Sequence, residues 1–446
     1  MRSTWRVSIT FALFLLLSAC APQLGYRDAE GECQGSDPGT CFPAPVLKIT
    51  GYKLPEPLPS TPVSYTLSIV EFDDHGVLAK PAQLDRTIEL LKREAAQHDL
   101  SIVAYVHGWR HNASRGDEDI RNFQNLLGLL DLAEQQSQPK RKVVGIYVAW
   151  PGALFAGRGL VTDIVNTPSF WTRKEGANRV AEGTIRELFA KVREVQQERN
   201  GDCGSAAKPC NTRLVTIGHS FGALVAYSAV HQELVTSAVR PDEMPVTGFG
   251  GLVILINPAF EGVRYASIQR LVEGRKDYPA GQPPVLITFA SRGDKANRFF
   301  FPLGRYVTLL TGREWPSSRS QLNDLAYPFG FVDRFKTHDL SVVPAGTRAA
   351  PEGPTCGDRG QPLPGWTQHY PLPDHGQEAV LAHAQYNPSN PFWLVSTDAA
   401  LVPNHSTIWG TGFLQVVYDI YSDFVRPETT LCGVRKAGSP GARTAG

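Results

Sequence analysis

Continuous apolar runs alternate along the middle of the chain with longer stretches of helical period. Ile102-Val103-Ala104-Tyr105-Val106 and Val143 to Ala149 contain almost no polar residue, the pattern of strands buried on both faces. Leu214 to Ile217, Leu252 to Ile256, Val285 to Phe289 and Phe392 to Ser396 repeat it, and Val63 to Phe72 alternates as a half-buried strand does. Leu84 to Ala96, Ile120 to Leu132 and Val180 to Val195 carry apolar residues at helical spacing. With a short strand at Val46 to Ile49, the pattern predicts an α/β domain over residues 63–432, built on a mostly parallel, doubly wound sheet of about eight strands. Ala153 to Trp171 is apolar but broken by Gly and Pro, which suits a loop beside a pocket. Between Arg298 and Asn390 lies a long excursion rich in aromatic residues, Pro and Gly. Gln377 to Gln385 reads as the helix before the last strand, and residues 298–376 as an insertion capping a site.

The ends differ from this middle. Arg2 and Arg6 precede an apolar run from Ile9 to Leu17, closed by Leu17-Ser18-Ala19-Cys20. Residues 1–19 therefore read as a signal segment, too short to span a bilayer comfortably. Its end resembles the lipobox of bacterial lipoproteins, which implies a lipidated Cys20 and a chain exported and anchored to the cell envelope. Ala21 and Pro22 follow without the aspartate of inner-membrane retention, so the resemblance favours the outer membrane, facing the periplasm. Residues 20–62, dense in Pro and Gly, are expected to form a tether, and 433–446 a disordered tail.

Composition narrows the function classes. The chain of 446 residues has a formal net charge of +1 and lacks a long basic run, so the electrostatic footprint of a nucleic-acid binder is missing. Besides Cys20 there are Cys33, Cys41, Cys203, Cys210, Cys356 and Cys432. An even set in an exported chain favours three disulfides over a zinc site, because C-x-x-C spacing and a nearby histidine are both lacking. Pairing Cys33 with Cys41 and Cys203 with Cys210 is the simplest arrangement, which leaves Cys356 with Cys432.

The run Leu214 to Ile217 leads into Gly218-His219-Ser220-Phe221-Gly222 and then a stretch rich in small residues. A serine at such a strand-to-helix turn is a nucleophile elbow, in which Gly218 and Gly222 give the backbone room and freedom so that the Ser220 hydroxyl stands exposed. The pentapeptide decides nothing alone. A serine hydroxyl is a poor nucleophile that needs a base, a carboxylate to orient the base, and donors for an oxyanion. His107-Gly108-Trp109 follows an earlier strand, and Asp and His residues lie downstream.

This set resembles the α/β-hydrolase superfamily, in its esterase and lipase branch, over roughly residues 63–421. The family's order of serine, acid and histidine implies Asp294, just past the strand Val285 to Phe289, as the acid. Asp324, Asp333 and Asp339 compete without so clear a strand before them. As the base it implies His405, after the last strand, with His338 as the alternative. Oxyanion donors would be the backbone N–H of Phe221 and one near Gly108 or Trp109, a single donor contributing ~10²–10³ in rate. His107 would orient its loop and His219 would pack beside the elbow.

The resemblance thus implies a membrane-anchored serine hydrolase that cleaves a carboxylic ester through an acyl-enzyme. Its partners would be an ester or acyl substrate and, through Cys20, a membrane; it requires neither metal nor organic cofactor. An acyltransferase would use the same acyl-enzyme, and a non-catalytic envelope scaffold could keep the same fold.

Overall fold

The computed structural model describes residues 25–136, 140–152, 170–202, 210–279, 282–312, 316–346, 367–373, 376–383 and 390–425. Cys20, Cys203, Cys356, Cys432, the segment 153–169 and the tail 433–446 lie outside the described residues. In chain order the strands are β1 (Glu32–Gly35), β2 (Val46–Tyr52), β3 (Val63–Glu71), β4 (Leu100–Val106), β5 (Lys142–Ala149), β6 (Arg213–His219), β7 (Leu252–Ile256), β8 (Leu286–Ser291), β9 (His338–Pro344), β10 (Thr367–Pro371), β11 (Gln377–His383) and β12 (Phe392–Thr397). The α-helices are α1 (Pro81–Ala95), α2 (Glu118–Gln135), α3 (Phe170–Glu182), α4 (Ile185–Asp202), α5 (Phe221–Ala238), α6 (Ala266–Gly274), α7 (Phe301–Gly312), α8 (Arg319–Ala326) and α9 (Thr411–Ile420).

All the strands join one 12-stranded sheet in the order β1-β2-β3-β5-β4-β6-β7-β8-β12-β9-β11-β10. From β3 across to β9 every neighbouring pair is parallel, and β10 and β11 add an antiparallel edge. Successive side chains of β4 point to opposite faces. Ile102, Ala104 and Val106 join the core beneath α1, α3, α4 and α5, whereas Val103 and Tyr105 join the one beneath α2 and α9. Both faces are covered, which is why the central strands read as unbroken apolar runs. α2 starts where the Asp117 side chain accepts from the Asp119 N–H, with Glu118 and Asp119 in its positive first turn.

Among the described residues the sheet has twelve strands, not about eight. The unforeseen ones, β1, β9, β10 and β11, lie toward the edges, where one face is partly wet and no continuous apolar run is required. Gln377 to His383 is a strand rather than a helix: its Glu, Ala and Leu favour helix, but pairing on both sides with β9 and β10 overrides that preference. The excursion is accordingly not a separate cap throughout, since β9 and β10 extend the sheet.

The stretch expected as a tether is also built in from Gly25 to Tyr52. Backbone N–H groups of Tyr26 and Arg27 donate to the Glu71 carboxylate, β2 pairs with β3, and Cys33 and Cys41 are bridged. Cys210 is disulfide-bonded too. Val180 to Val195 divides into α3 and α4 at Gly183, where the Gly76 carbonyl accepts from both the Thr184 N–H and its hydroxyl.

Candidate active site

Parallel strands deliver their carboxyl ends to one edge of the sheet, and loops there can converge. Ser220 follows β6, His107 to Trp109 follow β4, Asn257 follows β7, Asp294 follows β8 and His405 follows β12. The elbow is tight. Ser220 has φ 55 and ψ −120, a backbone conformation that L side chains rarely adopt, and it is held there by its N–H donating to Ile256 and its carbonyl accepting from Ala259. A Cβ on Gly222 would stand 2.2 Å from the Val106 carbonyl oxygen, so only glycine lets α5 begin against the end of β4. A Cβ on Gly108 would meet the His219 ring at 2.6 Å and the Ser220 Cβ at 3.0 Å. The loop after β4 therefore lies directly beside the serine.

Ser220, His405 and Asp294 are joined by two hydrogen bonds. Ser220 Oγ is 2.6 Å from His405 Nε2, and His405 Nδ1 is 2.7 Å from Asp294 Oδ2. An ionised carboxylate can only accept, so Nδ1 carries the proton and Nε2 is left to accept from the serine hydroxyl. Asp294 is fully buried, while the His405 side chain keeps 13% of its surface. The second carboxylate oxygen accepts from the Asn297 N–H. The capping role common for an aspartate in such a turn is thus filled by the same residue that meets His405.

The acid loop and the histidine loop are neighbours because β8 pairs with β12, Ser291 opposite Thr397. Ser291 Oγ donates to the Val402 carbonyl, and a Cβ on Gly293 would stand 2.4 Å from the Pro403 carbonyl oxygen. Beyond His405, the Asn404 side chain accepts from the Ser406 and Thr407 N–H groups. Trp409 then donates to the buried Asp119 carboxylate, which also accepts from Tyr105.

The remaining histidines divide by their partners. His107 donates from Nδ1 to the Gly108 carbonyl at 2.8 Å and accepts at Nε2 from the Trp150 N–H at 3.0 Å. It lies nearly parallel to the Trp150 ring, and burial, followed by the nearby His111, pushes its pKa down to about 4. His219 donates from Nε2 to the His405 carbonyl at 2.8 Å, and its buried Nδ1 has no partner. Burial first, then His405, pushes its pKa down to about 3. Both rings are neutral members of the scaffold. His338 is likewise fully buried, at the start of β9, where it pairs with Val395 of β12.

Sequence reasoning missed Asn257 and Asn297. Asn257, at φ 45, donates to the same His405 carbonyl at 3.1 Å and accepts from the Ser291 N–H at 2.9 Å. Asn297 donates to the carbonyls of Asn257 and Pro258. The available signals were slight: an Asn-Pro at the end of a strand, and an Asn three residues after the acid. Phe221, the first residue of α5, has an N–H that the helix's own ladder does not use. Trp109 packs edge-on to Phe170, which in turn contacts Phe221 and Phe301. Among the described residues no group of three or more His, Cys, Asp or Glu is arranged to hold a metal ion.

No family model matches the chain, and no curated protein sequence matches it. Two solved structures are similar in part. Phospholipase PlaB from Legionella pneumophila, in complex with thio-NAD, is 15% identical with a TM-score of 0.24 over 64% of this chain and 50% of that one. The chain therefore spans about half the length of that protein. A YdeN-like hydrolase from Pectobacterium atrosepticum is 19% identical with a TM-score of 0.16, over 47% of this chain and 71% of that one.

Proposed function

We propose that the protein is a serine hydrolase that cleaves carboxylic esters. The observation that carries this reading is the pair of short hydrogen bonds running from the Ser220 hydroxyl through His405 to the buried Asp294 carboxylate. His405 Nε2 takes the hydroxyl proton as Ser220 Oγ attacks the ester carbonyl, and the imidazolium so formed is stabilised by Asp294. The carbonyl oxygen gains negative charge beside the Phe221 N–H and the Gly108 to Trp109 backbone, which Gly108 allows to lie against Ser220. His405 then returns the proton to the leaving alcohol. A water, deprotonated by the same imidazole, releases the acid from the acyl-enzyme. Trp109 and Phe301 each pack against Phe170, which contacts Phe221, and this aromatic cluster beside the elbow would supply an apolar wall for the acyl group.

A fluorophosphonate probe tests the assignment. It should label the parent at Ser220, leave Ser220→Ala and His405→Ala unlabelled, and label His338→Ala as it labels the parent. Labelling of Ser220→Ala would remove the nucleophile, and loss confined to His338→Ala would move the base.

A further inference from the structure

Helix α7, together with the π-helical turn Ala296–Phe300 that leads into it, wears the wrong face outward for water. Phe299, Phe300, Leu303, Val307 and Leu310 are 59%, 71%, 64%, 55% and 69% exposed, whereas Phe301, Pro302 and Leu309 point inward. Positions 300, 303, 307 and 310 follow the spacing of one helical face. Other exposed large apolar residues among those described, such as Val77 and Val239, are scattered singly, and such single exposures are ordinary. The helix turns its own cation inward: Arg305 pairs with the buried Glu261, which also binds Lys174, and donates to the Leu325 carbonyl. The exposed hydroxyls of Thr308 and Thr311 donate to carbonyls one turn back, at Gly304 and Val307, so their hydrogens are satisfied within the helix. From Lys295 to Gly312 there is no acidic residue, and Lys295 and Arg298 are exposed at the helix start.

We propose that this face docks on an anionic lipid bilayer. An apolar helical face edged by cations lies in the plane of a membrane interface, the side chains entering the acyl boundary and the cations meeting lipid phosphates. With 12 residues α7 is too short to span a bilayer, so this face would lie in the membrane interface. The helix begins a few residues after Asp294, and Phe301 reaches Phe221 through Phe170. Docking would set the Ser220 loops beside the lipid. That consequence rests on the hydrolase reading, whereas docking itself does not.

The test is sedimentation of the full chain, carrying Cys20→Ser to prevent acylation, with vesicles of phosphatidylcholine alone or mixed with phosphatidylglycerol. Binding to the mixed vesicles is expected, weakened about tenfold by each of Phe300→Ser and Leu303→Ser. Arg298→Glu should weaken binding to the mixed vesicles and leave neutral ones unaffected. All the proteins share the same N-terminal residues, so the differences read this face alone. Circular dichroism and hydrolysis of a soluble short-chain ester should be unchanged in the serine variants. If every protein, the parent included, fails on the ester, the hydrolase reading falls while the vesicle result stands. Equal vesicle binding by parent and serine variants overturns the proposal. So does a dimer broken by the same substitutions, which would put a second copy on this face. Protection of Leu303→Cys from a maleimide in the absence of lipid also overturns it, by placing another segment such as 153–169 there.

Discussion

Strand β12 has a histidine-bearing region on each side of it, and the two could hardly differ more. Beyond its carboxyl end, His405 has a serine hydroxyl on one ring nitrogen and a buried carboxylate on the other. Beside its middle, where His338 pairs with Val395, the His338 ring lies 4.3 Å from the ring of Trp393 and 4.7 Å from that of His383, centroid to centroid. Its Nδ1 meets the Thr337 hydroxyl, which also accepts from the Leu394 N–H. Burial and then His383 hold its pKa well below the ordinary value. One histidine bridges a serine hydroxyl and a buried carboxylate through its two ring nitrogens; the other is a flat, neutral ring that packs within the sheet. Residue type and proximity to a strand end do not separate them. What stands at both nitrogens does.

The most damaging way to probe the first region is at Asp294. Asp294→Asn keeps the shape of the side chain but puts an amide opposite His405 Nδ1, so the tautomer that leaves Nε2 able to accept is no longer favoured. Ester hydrolysis should fall about 10⁴-fold with little change in stability. If kcat stays within tenfold of the parent, the His405–Asp294 bond is structural and the contrast with His338 collapses.

A smaller effect is expected from the groups that hold the His405 loop. Asn257 and His219 both donate to the His405 carbonyl, and Asn257 also accepts from Ser291 on the acid loop. Asn257→Ala should lower kcat about 10- to 100-fold with KM nearly constant, because a displaced imidazole reaches the serine less often in line. A change confined to KM would mean that Asn257 acts on the substrate and not on the loop.

These two levels of effect correspond to what the sequence made legible. Strands buried on both faces announce themselves as apolar runs, so β4 to β8 and β12 could be read with their ends within about two residues, and the loop residues past those ends followed. Ser220, Asp294 and His405 were legible because each follows such a strand. Asn257 follows one too, at β7, but a side chain that supports a loop through a backbone carbonyl leaves no type-specific mark. The edge was harder still. β10, as Thr-Gln-His-Tyr-Pro, is an edge strand held by the β11 that follows it, and β11, with its helix-favouring Glu, Ala and Leu, is held also by β9, distant in sequence, and local preference carries little trace of that pairing. Of the exposed apolar face, only Phe299 and Phe300 belong to the aromatic residues that marked the excursion; Leu303, Val307 and Leu310 join them only once the fold shows which way the helix points.

The gentlest test asks whether the buried rings behave as a class apart from His405. His107 has its pKa depressed to about 4 from the ordinary 6.5, so the folded chain resists a proton that the unfolded chain accepts first. Its contribution is complete above pH 6.5 and is lost as the pH falls through the window toward 4, amounting to about 3 kcal/mol at the acid end. His219 and His338 are depressed as well and act in the same direction. Unfolding free energy from urea titrations should therefore fall from pH 7 to pH 5. His107→Gln can still accept from the Trp150 N–H and donate to the Gly108 carbonyl, but it does not titrate. Its stability at pH 7 should be modestly lower and its slope against pH shallower by up to one proton. A slope equal to the parent's would mean that His107 titrates alike in folded and unfolded chains. The neutral, packed histidine would then no longer be a distinct class against which His405 stands out.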